Sequence, residues 1–432
     1  MKEQRTTLAA RLIDWLAWKY RLLFVISAGN HFQPFTLSVS RNEYERIDDE
    51  QAVQLALHAM WQDAANRRLL SPAESLNAVT VGAAHADAGG AYTRGQRIDL
   101  LRNRVLCSPI STVSGGYRRA VKPDILMPGG RQLYSLQYQI SDHATLACSA
   151  GTAPPGQRLA VPGSRPGELS RFVHQRGSSN AAALATRLAA QLYDRLLELR
   201  QQPGDERITD ESMVVLVKAL LVHSALWRGP RAIERLLDDT FKMRRDNEWQ
   251  RRREITARFV GFGNVDPRRV LSSDDYRVVL LGSSAIEKDQ SHVYEIPIPA
   301  SLNAMTVRRR IVATLAWLSP LNPRHHRYRR ANLYLTVNGN KHDLFDTTTD
   351  ANETLAGRGT VQHLVYESDR RVVIAEDDIL TVRVSCAEEA GELVHTVPYG
   401  LAITMEVDPA AEIPIYAQIR DRIQLRIRVR SS

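Results

Sequence analysis

A short glycine-containing loop that runs into a helix rich in small residues carries the side chains best suited to chemistry. Residues 174–183 read HQRGSSNAAA, and the pair Ser178 and Ser179 directly follows Gly177. A serine at a helix N-terminus is most commonly a cap, because its hydroxyl accepts a hydrogen bond from an unpaired amide. It can also be a nucleophile, because the amides at the helix end stabilise developing negative charge. Taken by itself, the segment leaves both interpretations open.

Three further segments and the serine loop together resemble subtilisin-like serine proteases (subtilases, peptidase S8) in the order of that family. They are residues 25–30 (VISAGN), 77–83 (NAVTVGA) and 121–129 (VKPDILMPG). The loop is similar to the family's Gly-Thr-Ser-x-Ala-x-Pro motif, with Ser178 at the threonine position and Ala183 at the proline position. The resemblance implies that Ser179 is the nucleophile and that the side-chain amide of Asn30 donates to the oxyanion.

The resemblance extends downstream and sets the expected domain boundary. Residues 261–266 (GFGNVD) are similar to the segment that closes the subtilase catalytic domain, so the likeness covers about residues 5–272. The remainder, through residues 315–324 and 397–404, looks like the C-terminal domain of a bacterial cytoplasmic subtilase group linked to phage defence and to AAA-type ATPase partners. We therefore predict a partial catalytic domain over residues 1–272 and a β-domain over residues 273–432.

The triad Asp and His have no counterpart at the expected places. Subtilases order their triad Asp, His, Ser, and no Asp-Thr-Gly, Asp-Ser-Gly or His-Gly-Thr segment precedes Asn30. Because a general base must lie about 3 Å from the serine oxygen, His31, His85 and His174 are expected to be surface or loop histidines. The resemblance thus implies a chain that is nearly inactive alone, with Asp and His supplied by upstream sequence or by a second, Asp/His-bearing chain.

Hydrophobic periodicity places these motifs on alternating helices and strands, which favours a mostly parallel sheet with flanking helices. Helices are predicted over residues 8–20, 49–65, 178–201, 209–227 and 230–242. Strands are predicted over residues 22–26, 77–83 and 124–127, and a Gly- and Pro-rich loop over residues 149–170. The predicted fold is α/β: a partial subtilisin-like parallel sheet with flanking helices, followed by an all-β sandwich domain.

Eight β-rich segments after residue 272 carry the sandwich prediction, because short strands at that density are typical of antiparallel sandwiches. They cover residues 276–281, 292–298, 306–317, 332–337, 361–367, 379–386, 400–407 and 424–429.

Composition excludes several other protein classes. The 432 residues are enough for two or three domains, and 57 Lys and Arg against 48 Asp and Glu give a net charge of only +9, a weak signal for nucleic acid. Cys107, Cys148 and Cys386 lack the spacing of a disulfide framework or zinc site. We expect a reducing, cytoplasmic compartment. The apolar N-terminus is interrupted by charges and predicts neither a signal peptide nor a membrane span.

No cofactor or metal is predicted, since neither His-Glu-x-x-His nor a phosphate-binding Gly-rich loop occurs. Residues 323–330 (PRHHRYRR) could contact phosphate, but a charged loop of a β-domain is favoured. Two functions stay open: a serine endopeptidase that acts on polypeptides, and a non-catalytic interaction protein derived from it. Nucleic-acid binding is disfavoured, and steep salt dependence would be its signature.

Overall fold

The computed structural model describes most of the chain, in segments separated by short gaps. They are residues 6–93, 95–102, 104–138, 142–202, 208–227, 233, 248–339, 347–348, 351, 353–371, 373–375, 378–422 and 428–431. A mixed α/β part is followed along the chain by a part built from antiparallel sheets. This confirms the predicted fold class. Within these segments, no helix is both long enough and apolar enough to cross a membrane.

The α/β part is organised around a five-stranded sheet. Its elements are α1 (Leu8–Tyr20), β1 (Val25–Ser27), β2 (Phe35–Thr36), α2 (Arg41–Tyr44), α3 (Asp49–Gln62), β3 (Val79–Ala84), β4 (Ile125–Pro128), β5 (Tyr134–Leu136), β6 (Thr145–Cys148), β7 (Gln157–Ala160), β8 (Phe172–Gln175), α4 (Ser178–Arg200), α5 (Asp210–His223), β9 (Ala225–Leu226), α6 (Glu248–Val260), β10 (Asn264–Val265) and α7 (Arg268–Leu271). The order in the sheet is β1, β3, β4, β10, β9, and only β9 is antiparallel. β3 is buried throughout, as expected for a central strand covered on both faces.

The first helix and the first strand are buried differently from what their apolar residues predict. α1 forms at the predicted residues, yet Leu8 and Leu12 are 82% and 55% exposed, and the buried face carries Asp14 and Ala17. β1 begins three residues later than predicted and is only half-buried. The partial burial of β1 follows from its place at the edge of the sheet, where no described strand pairs with its outer side.

Residues 149–170 hold a short strand as well as the predicted loop. β7 lies within this stretch and pairs antiparallel with β8. Its four residues alternate between half-buried and exposed, so the strand adds little apolar signal to a Gly- and Pro-rich sequence. The helix predicted over residues 230–242 falls, apart from Ile233, outside the described residues.

The C-terminal part consists of two antiparallel sheets packed face to face. Its elements are β11 (Arg277–Ile286), β12 (Gln290–Pro297), β13 (Arg309–Trp317), β14 (Ala331–Gly339), β15 (Thr347–Thr348), α8 (Glu353–Ala356), β16 (Val361–Ser368), β17 (Ile379–Glu388), β18 (Val397–Val407), α9 (Ile415–Arg422) and β19 (Arg428–Ser431). One sheet has the order β11, β18, β13, β16, β15, and the other has the order β14, β17, β12, β19. Buried side chains of both sheets share one apolar core, and Tyr294 of β12 bonds Tyr399 of β18 across it at 2.6 Å.

α5 lies between α4 and the sheet that contains β13 and β18. Its sequence is apolar on every side, which is the pattern of a fully enclosed helix, and nearly all its residues are buried. Gly400 of β18 permits the contact, because a Cβ there would lie 2.6 Å from the backbone of Val215 and Leu216. A continuous apolar core therefore joins the two parts of the chain. The boundary near residue 272 stays a prediction.

Buried polar groups link the two parts at the same place. Lys218 of α5 donates to the carbonyl oxygens of Asn77 (3.0 Å) and Trp317 (3.1 Å) and to Thr360 Oγ1 (2.8 Å). Burial lowers the pKa of Lys218 to about 7. The segment that leads into β3 is thus tied, through the Lys218 side-chain nitrogen, to the last residue of β13 and to the residue that precedes β16.

Asn77 and Asp14 extend this link to α1. The Asn77 amide donates to the carbonyl oxygens of Asp14 (2.9 Å) and Ser319 (3.0 Å) and accepts from Ser319 N at 2.9 Å. The Asp14 carboxyl accepts from Asn77 N at 2.8 Å and from the Tyr328 hydroxyl at 2.9 Å. Burial raises the pKa of Asp14. α1 is therefore held through a polar face, which explains why its leucines are left outside.

Candidate active site

The serine loop is positioned by a tight approach between the ends of β4 and β8. Gly177 N donates to the carbonyl oxygen of Gly129 at 2.7 Å, so the loop crosses the carboxyl end of β4. Gly177 has φ 148° and ψ 167°, a conformation that essentially only glycine adopts. A Cβ at this position would also lie 3.0 Å from Asn30 Nδ2. Glycine is required here on both counts, and α4 begins at the next residue.

The two serines of the loop have different environments. Ser178 is buried, its N–H donates to Asn30 Oδ1 at 2.8 Å, and its Oγ accepts from Gly29 N at 3.1 Å. Ser179 is exposed at the start of the 23-residue helix α4. Ser178 therefore holds the loop against the chain that follows β1, and Ser179 is the serine that is exposed to solvent.

Asn30 is oriented by the same contact. Because its Oδ1 accepts from Ser178 N, the side-chain Nδ2 is the group that can donate elsewhere. Nδ2 lies on the side of Gly177, two residues before Ser179. At the start of α4, Ser178 N donates to Asn30 Oδ1 and Asn180 N donates to the carbonyl oxygen of Gly177 at 3.2 Å, so these two amides are already engaged. The half-buried side-chain amide of Asn30 is therefore the group beside the serine loop that is suited to stabilising an oxyanion.

The Lys-Pro-Asp segment fixes the strand on which the loop rests. Lys122 Nζ donates to Ala78 O at 2.8 Å and to Asp124 Oδ2 at 2.5 Å, and Asp124 Oδ2 also accepts from Thr80 N at 2.7 Å. All four residues are buried. This network sets β4 against β3 and so determines where Gly129, at the end of β4, meets the serine loop.

Arg176, immediately before Gly177, anchors the loop from the other side. Its guanidinium donates to the carbonyl oxygens of Pro155 (2.7 Å) and Gly151 (2.8 Å) and also to that of Ala153. Burial lowers the pKa of Arg176, and nearby Arg97 acts in the same direction. The loop is therefore clamped between β4 and the turn that leads into β7.

The three histidines considered from the sequence are engaged elsewhere. His31 is buried and its Nε2 lies 2.8 Å from the carbonyl oxygen of Arg68, and burial lowers its pKa. His85 is buried with its Nε2 2.9 Å from Asp99 Oδ1. His174 packs edge-on against Phe172 in the hairpin. Among the described residues, none of these rings hydrogen-bonds to Ser179.

The amino-acid sequence of the chain matches a known protein family. The sequence pattern described as the Subtilase family (Peptidase_S8) matches residues 2–263, which is more than half of the chain. The chain belongs to the subtilase family. The resemblance based on the four ordered segments is thereby confirmed.

Two further comparisons add less. The chain is 24% identical over 440 residues to "Uncharacterized protein y4bN" of Sinorhizobium fredii (strain NBRC 101917 / NGR234), with 96% of this chain and 90% of that protein covered. A solved structure titled "A novel family GH115 4-O-Methyl-alpha-glucuronidase, BtGH115A, with specificity for decorated arabinogalactans" covers 52% of this chain and 33% of its own, at 8% identity and a TM-score of 0.17. That likeness supports no argument about fold or function.

Two features of this site and its surroundings were not predicted from the sequence. The link from Ser178 to Asn30 and Gly29 was detectable, since Ser178, like the threonine of the family motif, carries a hydroxyl, and here that hydroxyl accepts from Gly29 N. The buried His85 and Asp99 pair was not detectable, because Asp99 lies in irregular chain 14 residues beyond the histidine.

Proposed function

We propose that this subtilase supplies the nucleophile and the oxyanion donor of a serine endopeptidase. Ser179 is the nucleophile and Asn30 Nδ2 is the donor. The observation that supports the proposal is the 2.8 Å bond from Ser178 N to Asn30 Oδ1, because it holds Asn30 beside the residue that precedes Ser179 and leaves Nδ2 as the group that can donate. The subtilase match supports peptidase chemistry for the family as a whole.

The reaction would run through an acyl-enzyme. Ser179 Oγ attacks the carbonyl carbon of a peptide bond, while its proton passes to a histidine base and the carbonyl oxygen becomes an oxyanion held by Asn30 Nδ2. The C–N bond then breaks, and the amine leaves with the proton from the histidine. Water, deprotonated by the same base, attacks the ester carbon and releases Ser179 with its proton restored.

The histidine of this reaction must come from polypeptide other than the described residues near Ser179. His31, His85 and His174 are each held by another contact. In subtilisin, loss of the histidine alone lowers kcat by about 2 × 10⁶. We therefore infer that the 432 residues acting alone hydrolyse peptides about 10⁶-fold more slowly than a subtilase with a complete triad.

The outer side of β1 is a suitable surface for an Asp- and His-bearing segment. β1 ends the parallel sheet, and an unpaired edge strand is a template for a further strand. A segment that pairs with β1 would lie alongside the strand that leads, three residues beyond its end, to Asn30. Separately, Leu8, Leu12 and Tyr20 of α1 are more than half exposed, an unusual density of apolar side chains for a solvent-facing helix.

A second candidate is a non-catalytic interaction protein that retains the subtilase scaffold. The same uncovered surface favours it, since that surface can bind a partner that brings no catalytic groups. The AAA-type ATPase partner and a role in phage defence remain predictions.

The two candidates are separated by hydrolysis of a fluorescently labelled casein. The protein isolated from its host, together with the polypeptides that copurify with it, is compared with the recombinant 432-residue chain. We expect hydrolysis only in the host preparation. Ser179→Ala should abolish it, Asn30→Leu should lower it by about 10²–10³, and Ser301→Ala, at an exposed serine of the C-terminal part, should leave it unchanged. Equal hydrolysis by Ser179→Ala and the unsubstituted protein refutes the proposal.

A further inference from the structure

Three arginines line a cavity between the α/β part and the sandwich. Its volume is about 610 Å³, and its charged lining residues are Arg118, Arg329, Arg358 and Glu389. Arg118 comes from the α/β part, and the other three come from the sandwich. Three guanidinium groups and one carboxylate make the lining positive, and Glu254, outside the cavity, offsets part of this charge through Arg358 at 3.4 Å. The subtilase chemistry proposed above does not use this cavity.

One glutamate neutralises only part of this charge. Glu389 accepts from Arg118 Nη1 at 2.9 Å through one oxygen and from Arg329 Nε through the other. Arg329 is buried and further donates to the carbonyl oxygens of Gly357 (2.8 Å) and Gly359. Arg329 is thus held rigidly, whereas Arg118 keeps donors that no described residue accepts.

Arg358 has a buried donor without an acceptor. Within the described part of the chain, its Nη1 makes no hydrogen bond, and the paired carboxylate oxygen, Glu254 Oε2, lies 3.4 Å away. A buried guanidinium N–H without an acceptor is strongly disfavoured unless something else accepts from it. The cavity next to it is the available space for such an acceptor.

The backbone that delivers Arg118 is in an unusual conformation. Arg118 and the following Arg119 have φ of 53° and 63°. Residues with a Cβ occupy this left-handed region at an energetic cost, and such positions cluster at binding and catalytic sites. The turn ends at Ala120 and leads directly into the Lys-Pro-Asp segment before β4.

We propose that this cavity binds a phosphate-bearing small molecule. Guanidinium groups recognise phosphate through paired N–H donors, and the cavity volume falls in the usual range for small-ligand sites. Tyr334, which lines the cavity and is 45% exposed, offers a flat surface to an attached group. The cavity volume favours a small ligand over a nucleic-acid strand. The basic run at residues 323–330 contributes through Arg329.

Isothermal titration calorimetry of the full chain at low salt tests the site, with inorganic phosphate, pyrophosphate, AMP, ATP and citrate as probes. We expect at least one phosphate compound to bind. Arg118→Gln and Arg358→Gln should each weaken it about tenfold or more, the effect of losing a charge-assisted hydrogen bond. The matched control is Arg327→Gln, an exposed arginine of the same basic run outside the cavity, which should change affinity less than twofold. The phosphate compound that binds most tightly shows whether the site prefers free phosphate, pyrophosphate or a nucleotide.

Three results would overturn the assignment. They are absence of heat with every phosphate compound at millimolar concentration, equal affinity for citrate, or loss of binding with Arg327→Gln as large as with Arg118→Gln. Binding of single-stranded RNA that depends on Arg327 rather than Arg358 would likewise place the contact on the loop surface. Where a glutamine variant fails to fold by circular dichroism, Arg118→Lys and Arg358→Lys keep the charge and should retain weakened binding.

Discussion

Replacing Lys218 by methionine tests how the α/β part and the sandwich are joined. The Lys218 ammonium is buried among three oxygen acceptors, on Asn77, Trp317 and Thr360. Methionine has a similar length and no donor, so the three acceptors lose this partner. Since a buried unsatisfied group costs about 1–3 kcal/mol, we expect the variant to be less stable than the natural protein by at least about 2 kcal/mol at pH 9.

The pH dependence of this difference is the sharper part of the prediction. Burial lowers the pKa of Lys218 to about 7, and Lys122 acts in the same direction, whereas the unfolded chain keeps the ordinary value of 10.5. Between these values the unfolded state binds the proton and the folded state does not, so the free energy of unfolding rises with pH. Integrated from pH 7 to pH 9, the gain is about 2 kcal/mol, and Lys218→Met lacks it.

Urea unfolding is followed by tryptophan fluorescence at pH 7 and pH 9. Its midpoint and slope give the stability loss of Lys218→Met at each pH, and so the change of that loss with pH. The control is Lys288→Met, because Lys288 is exposed and its pKa is raised by a hydrogen bond to Glu388. The control should follow the natural protein across this pH window. If the stability difference between Lys218→Met and the natural protein is the same at both pH values, the lowered pKa and the burial reasoning behind it are wrong.

Two other substitutions probe the same junction. Gly400→Ala should lower the free energy of unfolding, measured in urea, by about 1–3 kcal/mol, since its Cβ would lie 2.6 Å from Leu216 N. The control is Gly359→Ala, whose Cβ would meet no atom within 3.7 Å and which should change this free energy little. Similar values for the two variants would refute the close approach at Gly400. His363→Gln should flatten the acid loss of stability, because burial lowers the pKa of His363 to about 3 and stability falls as pH drops from 6.5 toward that value. The lowered pKa of buried His223 makes the folded state lose stability in acid as well. In His363→Gln the slope of unfolding free energy against pH should therefore decrease by about 1.4 kcal/mol per pH unit rather than vanish. An unchanged slope would contradict the lowered pKa of His363.

Local patterns predicted most of the elements. The long helices formed within a few residues of their expected ends, because their periodicity spans several turns. The strands of the sandwich were likewise recognisable from alternating apolar residues, although the segment over residues 424–427 lies outside the described residues. What periodicity did not reveal is which face of α1 is buried, since Asp14 is held by hydrogen bonds to Asn77 and Tyr328 rather than by apolar packing.

The candidate active site was predictable only through motifs. Ser179 and Asn30 lie 149 positions apart, and no property of either residue alone brings them together. Their proximity follows from Ser178, which bonds both Asn30 and Gly29. The arginine cavity was not predictable, because Arg118 meets Glu389 from 271 positions away. Contacts of that separation depend on how the sandwich packs against α5, which no local pattern records.

The most direct test of the central claim is to map the site of covalent labelling by a fluorophosphonate. The protein is isolated from its host with its copurifying polypeptides, labelled, digested and sequenced by mass spectrometry. We expect modification of Ser179, none of the neighbouring Ser178, and loss of labelling when the recombinant 432-residue chain is used alone. Labelling of Ser178, or labelling of another serine with Ser179 unmodified, would contradict the assignment of the nucleophile.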